Sequence, residues 1–319
     1  MDEKVLQDVA ASPAIQEPSL PETKIHKKSK TKKSPEHSLT EIPFEVPPAL
    51  FEQRGRIFSV INQKGGCGKT TTTINLGAGL VLEKFQVLLI DLDPQANATM
   101  GLGLHLAPEE KTAHDLFTNP AVVPSDLIRP TSLDNLHIIP SSWRISSLIT
   151  ELPKTNNWEY LLRGFLRSLK PLYHYILIDC PPALNALTVN ALTASEDMII
   201  PLQTHYYALE GMKELFLTAH SIREKLNPHL KSGKILPTLF DRRTKISHEM
   251  LAAIRTYFSD QVFETIISVN VRLIESVMLG QSVLTYAPDS KGAADYRALC
   301  RELVCQEAGI ARPNPSPQI

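Results

Sequence analysis

From Arg56 onward the chain alternates between short, wholly apolar runs and longer stretches with helical spacing. The runs are "RIFSVIN" (56–62), "QVLLIDL" (86–92), "LHIIP" (136–140), "YILIDC" (175–180), "DMIIP" (197–201) and "KILPTLF" (234–240). They lack the in–out alternation of a half-solvated strand. Such runs suit strands of a parallel sheet covered on both faces. After the first run, Ile74, Ala78 and Val81 recur at i, i+4 and i+7, which predicts a helix. Near the end, Tyr296, Leu299, Cys300, Leu303 and Val304 form one stripe. This predicts a last helix from about Ala293 to Ala308, stopped by Gly309. Strand and helix in alternation imply an α/β fold, doubly wound, with a mainly parallel sheet and helices on both faces.

The pattern fails at both ends. Residues 1–54 mix Pro, Ser, Glu and Lys with few aromatics and read as a disordered extension. Within it, "KIHKKSKTKKS" (24–34) carries six lysines and no acid, a composition that can hold nucleic acid loosely. The tail 310–319 is Pro-rich and also reads as disordered, leaving 55–309 as the folded domain. The 319 residues carry a formal net charge of −1, so bulk charge points to no partner. Cys67, Cys180, Cys300 and Cys305 form no CxxC pair, which fits reduced thiols in a cytoplasmic protein. No apolar run reaches the roughly 18 residues of a membrane span.

The first strand runs into "INQKGGCGKTT" (61–71). This nearly matches G-x-x-x-x-G-K-[ST], a loop whose backbone amides cradle phosphates at a helix N-terminus. Gln63 stands where the first glycine belongs, and a second lysine, Lys64, follows it. Gly65, Gly66, Cys67 and Gly68 supply the turn. Lys69 is expected to reach the β- and γ-phosphates, and Thr70, followed by Thr71, to offer its hydroxyl to Mg²⁺. Asp91 and Asp93 in "LLIDLDPQ" and Asp179 in "YILIDC" fall at strand ends, where open α/β sheets bind ligands. Carboxylates there suit Mg²⁺, which keeps several waters. Lys64 adds little to Lys69 from the same turn. Pointing across a dimer interface, it would act as a cation supplied in trans to the partner's phosphates.

The deviant loop K-G-G-x-G-K-[ST]-T resembles the signature of the ParA/MinD group of P-loop ATPases. "LLIDLDPQANAT", "DCPPALNALTVNALTASE", "PLQTHYYALEGM" and "NVRLIESVMLGQSVLTYAPDSKGAADYRAL" resemble later blocks of its ParA/Soj chromosome- and plasmid-partition branch, over about residues 55–308. The resemblance implies ATP and Mg²⁺ as ligands, and an ATP-bound homodimer with Lys64 contacting the other subunit's nucleotide. It implies a hydrolytic role for Asp93, with Asp91 and Asp179 near Mg²⁺. It further implies non-specific DNA binding, stimulation by a ParB-like partner, and a cytoplasmic, nucleoid-associated protein. Arg243 and Arg272 match family arginines implicated in DNA binding, and Arg242 and Lys245 lie beside them. Val269 stands where an arginine is common, and the Lys24–Lys33 run is the candidate that compensates. Ala96 and Asn185 replace common glycines, and His205 a common acid. The alternatives are a ParA-like positioner of another cargo, a MinD-like ATPase that would need an amphipathic membrane helix, and a metabolic or iron–sulfur P-loop enzyme.

Overall fold

The computed structural model describes residues 46–205 and 211–310. The lysine run, most of the expected extension and the tail from 311 lie outside the described residues. Seven strands form one sheet: β1 (Arg56–Val60), β2 (Val87–Asp91), β3 (Arg129–Pro130), β4 (Leu136–Ile139), β5 (Tyr175–Asp179), β6 (Asp197–Gln203) and β7 (Lys234–Thr238), in the order β3-β4-β2-β5-β1-β6-β7. All pairings are parallel except the two-residue β3 against β4. The six apolar runs are the six parallel strands, and the sheet is doubly wound as expected.

Alternate strand residues serve opposite faces. Ile57, Leu88, Ile90, Ile176 and Ile178 enter one core, while Phe58, Val87, Leu89, Tyr175 and Leu177 enter the other. The second core is covered by α1 (Pro48–Glu52), α2 (Lys69–Leu82) and α3 (Asn97–Gly101). The first is covered by α4 (Ala113–Thr118), α5 (Pro124–Leu127), α6 (Leu148–Glu151), α7 (Leu161–Leu166), α8 (Ala186–Ala194), α9 (Met212–Lys225) and α10 (Lys245–Phe258). The chain then returns to the second face with α11 (Val271–Met278), α12 (Val283–Tyr286) and α13 (Lys291–Ala308). Both predicted helices are present. α13 starts one turn's fraction earlier than expected because the Ser290 side chain caps it, accepting from the Ala293 amide at 3.2 Å. It stops at Gly309, left-handed at φ 62°.

The folded part begins earlier than Gly55. α1 lies within the expected extension, yet its Leu50 is buried to 1% exposure. Burying a leucine stabilises by roughly 1.5–3 kcal/mol. Arg56 ties the helix down: its Nη2 donates to the Leu50 carbonyl at 3.3 Å, and its guanidinium lies 4.0 Å from the centroid of the Tyr175 ring. A five-residue helix carries too little periodicity to be read from sequence.

From β1 the chain steps outward to β2 and β4, then returns to β5 and continues past β1 to β6 and β7. The strand order thus reverses beside β1, and the crevice at the carboxyl ends there is where such sheets bind ligands. The loop 61–68 leaves β1 at that place.

Candidate active site

The loop is shaped by side chains from neighbouring strands. Asn62 is the hinge: its Nδ2 donates to the Pro201 carbonyl (2.7 Å), and its Oδ1 accepts from the Lys64 amide (3.0 Å). Gln203 at the end of β6 donates to the Gly66 carbonyl (2.9 Å), and Thr238 at the end of β7 to the Cys67 carbonyl (2.8 Å). With the loop carbonyls held from outside, its amides are free to face inward. Gly66 and Gly68 have φ of +70° and +95°, a region that only glycine enters without strain. A Cβ built on Gly65 or Gly66 would meet nothing within 4 Å, so the loop borders open space. Lys69 is buried, and its Nζ donates to the Lys64 carbonyl (3.1 Å). The Lys64 ammonium has no partner among the described residues.

Asp91 and Asp179 end β2 and β5 at matched register, and both are fully buried. Thr70 donates to Asp179 Oδ2 (2.7 Å), and Thr73 to Oδ1 (3.1 Å). Asp91 accepts from the Asp93 amide (3.0 Å), the Thr99 amide (2.9 Å) and the Thr99 hydroxyl (2.7 Å). Asp93 accepts from the Gln95 amide (2.9 Å). Burial, and for Asp179 also the charge of Asp91, holds both carboxyls above the usual carboxylate range. Two buried like charges of this kind, with a threonine hydroxyl at hand, make a hard oxygen donor set that fits Mg²⁺. Thr73, Thr99, Asn62, Gln203 and Thr238 belong to the site and escaped the sequence reading. Asn62, Thr99 and Gln203 lie inside the quoted blocks without being singled out, and Thr73 falls three residues after Thr70 on the same helix face.

An AAA domain family model matches residues 55–232. The sporulation initiation inhibitor protein Soj of Bacillus subtilis is 42% identical over 78% of this chain and 98% of its own length. The chromosome partitioning protein ParA of Myxococcus xanthus is 44% identical over 78% of this chain and 88% of its own. The chain belongs to the ParA/Soj family of partitioning ATPases. Among solved structures, cobyrinic acid a,c-diamide synthase from Mycobacterium smegmatis, with bound ATP analog and magnesium, aligns at TM-score 0.70 and 31% identity. That alignment spans 82% of this chain and 99% of that one.

In this ParA/Soj chain the basic residues come from two separate segments that the fold joins. The Phe240 amide donates to Ile267 O (3.1 Å), and the Val269 amide to Phe240 O (3.0 Å). Arg242, Arg243 and Lys245 thereby emerge beside the segment that leads to Arg272. Arg243 pairs with Asp241 (2.8 Å), Lys245 with Glu249 (3.1 Å) and Arg272 with Glu275 (2.6 Å), all at the surface. Val269, Val271, Ile274 and Met278 are exposed around Arg272.

The departures from the family pattern have distinct physical outcomes. Ala96 sits at φ +51°, so the loop that carries Asp93 keeps the left-handed turn without the glycine. Asn185 is extended and caps α8, accepting from the Leu187 (3.0 Å) and Thr188 (3.3 Å) amides. All four cysteines are buried, and burial pushes the Cys67 and Cys180 thiols up, which disfavours the thiolates that an iron–sulfur reading requires. No helix among the described residues is long and apolar enough to cross a membrane.

Proposed function

We propose that this chain is a Mg²⁺-dependent ATPase that moves a chromosome or plasmid by cycling on and off DNA. The observation that carries the reading is the Thr70–Asp179 hydrogen bond, formed beside Asp91 and at the mouth of the glycine loop. In this reading the amides of Gly65 to Thr71 hold the phosphates. Lys69 leaves the Lys64 carbonyl to meet the β- and γ-phosphates. Thr70, Asp91 and Asp179 hold Mg²⁺, directly or through water, and Asp93 orients the attacking water. Bound Mg²⁺ neutralises phosphate charge. ATP analog and magnesium in the similar solved structure support this assignment.

Lys64 acts on the nucleotide of a second copy. That its ammonium has no partner among the described residues, and that Lys69 already serves the same turn, supports that role. The resulting dimer would double the display of Arg242, Arg243, Lys245 and Arg272. The present ion pairs of Arg243, Lys245 and Arg272 are exposed and therefore weak, so they exchange readily for DNA phosphates. A ParB-like partner would stimulate hydrolysis, and the protein would be cytoplasmic and nucleoid-associated.

The test is anisotropy of a labelled duplex of arbitrary sequence with ATP, ADP or no nucleotide, at low and moderate salt, with Lys64→Ala alongside. Binding with ATP alone, lost in Lys64→Ala and weakened steeply by salt, is expected. No binding in any state, with dimerisation intact, would overturn the DNA-partition reading and leave the ATPase assignment standing.

A further inference from the structure

A cavity lies at the other end of the sheet. It measures about 740 Å³, within the range of small-molecule sites. Its wall includes Ile57 near the start of β1, Ser195 and Glu196 just before β6, and Lys231 just before β7. It therefore opens at the amino ends of the strands, away from the glycine loop.

Its chemistry is basic. Arg163, Arg167, Lys170, Lys231 and His229 line it, against a single acid, Glu196. Lys170 spends its charge on Glu196 (2.8 Å), and Lys231 is near Glu307 (3.7 Å). Arg163 and Arg167 remain without a side-chain partner among the described residues. They stand four residues apart, Arg163 within α7 and Arg167 capping its end, so their like charges repel across one turn. Two further features concern the wall itself. Thr193 is 1% exposed, and its Oγ1 has no hydrogen-bond partner, an uncommon state for a buried hydroxyl. Gly164 sits inside α7, where glycine costs about 0.5–1 kcal/mol relative to alanine. A Cβ there would meet nothing within 4 Å, so packing does not demand the glycine; a side chain would only fill the cavity.

We infer that this cavity is a second ligand site, for a phosphorylated small molecule of about nucleotide size. Guanidinium groups such as those of Arg163 and Arg167 suit phosphate oxygens. A concave wall suits a small anion better than a duplex, which presents its phosphates along a convex surface. The site is separate from the ATP site and offers that ATPase a regulatory input.

The test uses the full chain saturated with ADP and Mg²⁺, titrated calorimetrically with inorganic pyrophosphate at matched excess Mg²⁺. The variants are the double change Arg163→Gln/Arg167→Gln and, independently, Gly164→Leu, which fills the space without altering charge. One binding event is expected in the wild type, weakened at least about tenfold in each variant, with ATP turnover in the absence of pyrophosphate unchanged. Roughly tenfold corresponds to loss of one good charge-assisted contact. No heat in the wild type up to millimolar pyrophosphate would overturn the inference. So would equal affinity in wild type and variants, which would return the anion to the glycine loop. Weakened DNA binding in the arginine variant, with no pyrophosphate site, would also overturn it and assign the surface to duplex DNA.

Discussion

Replacing Thr99 by valine removes one oxygen and keeps the shape. That oxygen donates to Asp91 Oδ2 at 2.7 Å and accepts from the Ser141 amide at 2.9 Å. Thr99 is 2% exposed and Asp91 fully buried, so water cannot replace either bond. Losing a hydrogen bond to a charged group costs about 1.5–3 kcal/mol, and leaving a buried amide unpaired about 1–3 kcal/mol. The added methyl returns roughly 0.8 kcal/mol. The net loss is about 2–5 kcal/mol, which at roughly 2–4 °C per kcal/mol for a domain of this size lowers Tm by about 4–20 °C. Calorimetry without nucleotide reads it directly. Thr99→Ser keeps both bonds and should recover most of the loss. A Thr99→Val protein within about 0.5 kcal/mol of wild type, or a serine variant as unstable as the valine one, would refute the account.

Three further outcomes are expected. Ala96→Gly relieves a left-handed alanine and should stabilise the protein by about 0.5–1 kcal/mol in urea unfolding, less than the full strain because glycine also loosens the unfolded chain. His174 is held below its ordinary pKa by burial, with Nδ1 accepting from the Gln86 amide (2.8 Å) and Nε2 facing the Phe51 carbonyl (3.1 Å). The fold favours the neutral ring, so stability present above about pH 6.5 is lost as pH falls through that value; His174→Gln should flatten the change in urea midpoint between about pH 7.5 and 5.5. Arg243→Ala and Arg272→Ala should each reduce the salt slope of duplex binding by about 1, and unchanged slopes would remove those residues from the interface.

What was legible in the sequence follows from where the determining forces act. β1, β2 and β4 to β7 could be read because burial on both faces leaves an unbroken apolar run. β3 could not: two residues including a proline carry no period. The glycine loop was legible because its backbone needs particular residue types in a row. The residues that shape it were not, because Gln203 and Thr238 reach it from strands more than 130 residues away, a contact set by strand order. Asp91 and Asp179 were each visible as strand-end acids, but their side-by-side placement needed the β2–β5 register. α1 was placed in the leader because it is held by Leu50, by Phe51 stacked on Phe85 and by Arg56 from outside it, contacts too few and too distant to make a pattern.

That register has a mechanical meaning. Asp91 and Asp179 are separated by one interstrand step, about 4.8 Å of hydrogen-bonded sheet. Their spacing can change only if β2 shears against β5, which would break a run of ladder bonds at once. The floor of the site is therefore a stiff gauge, insensitive to events at the rim. No strand ladder fixes the Lys69 ammonium, which rests on the Lys64 carbonyl, or the turn at Ala96 beside Asp93.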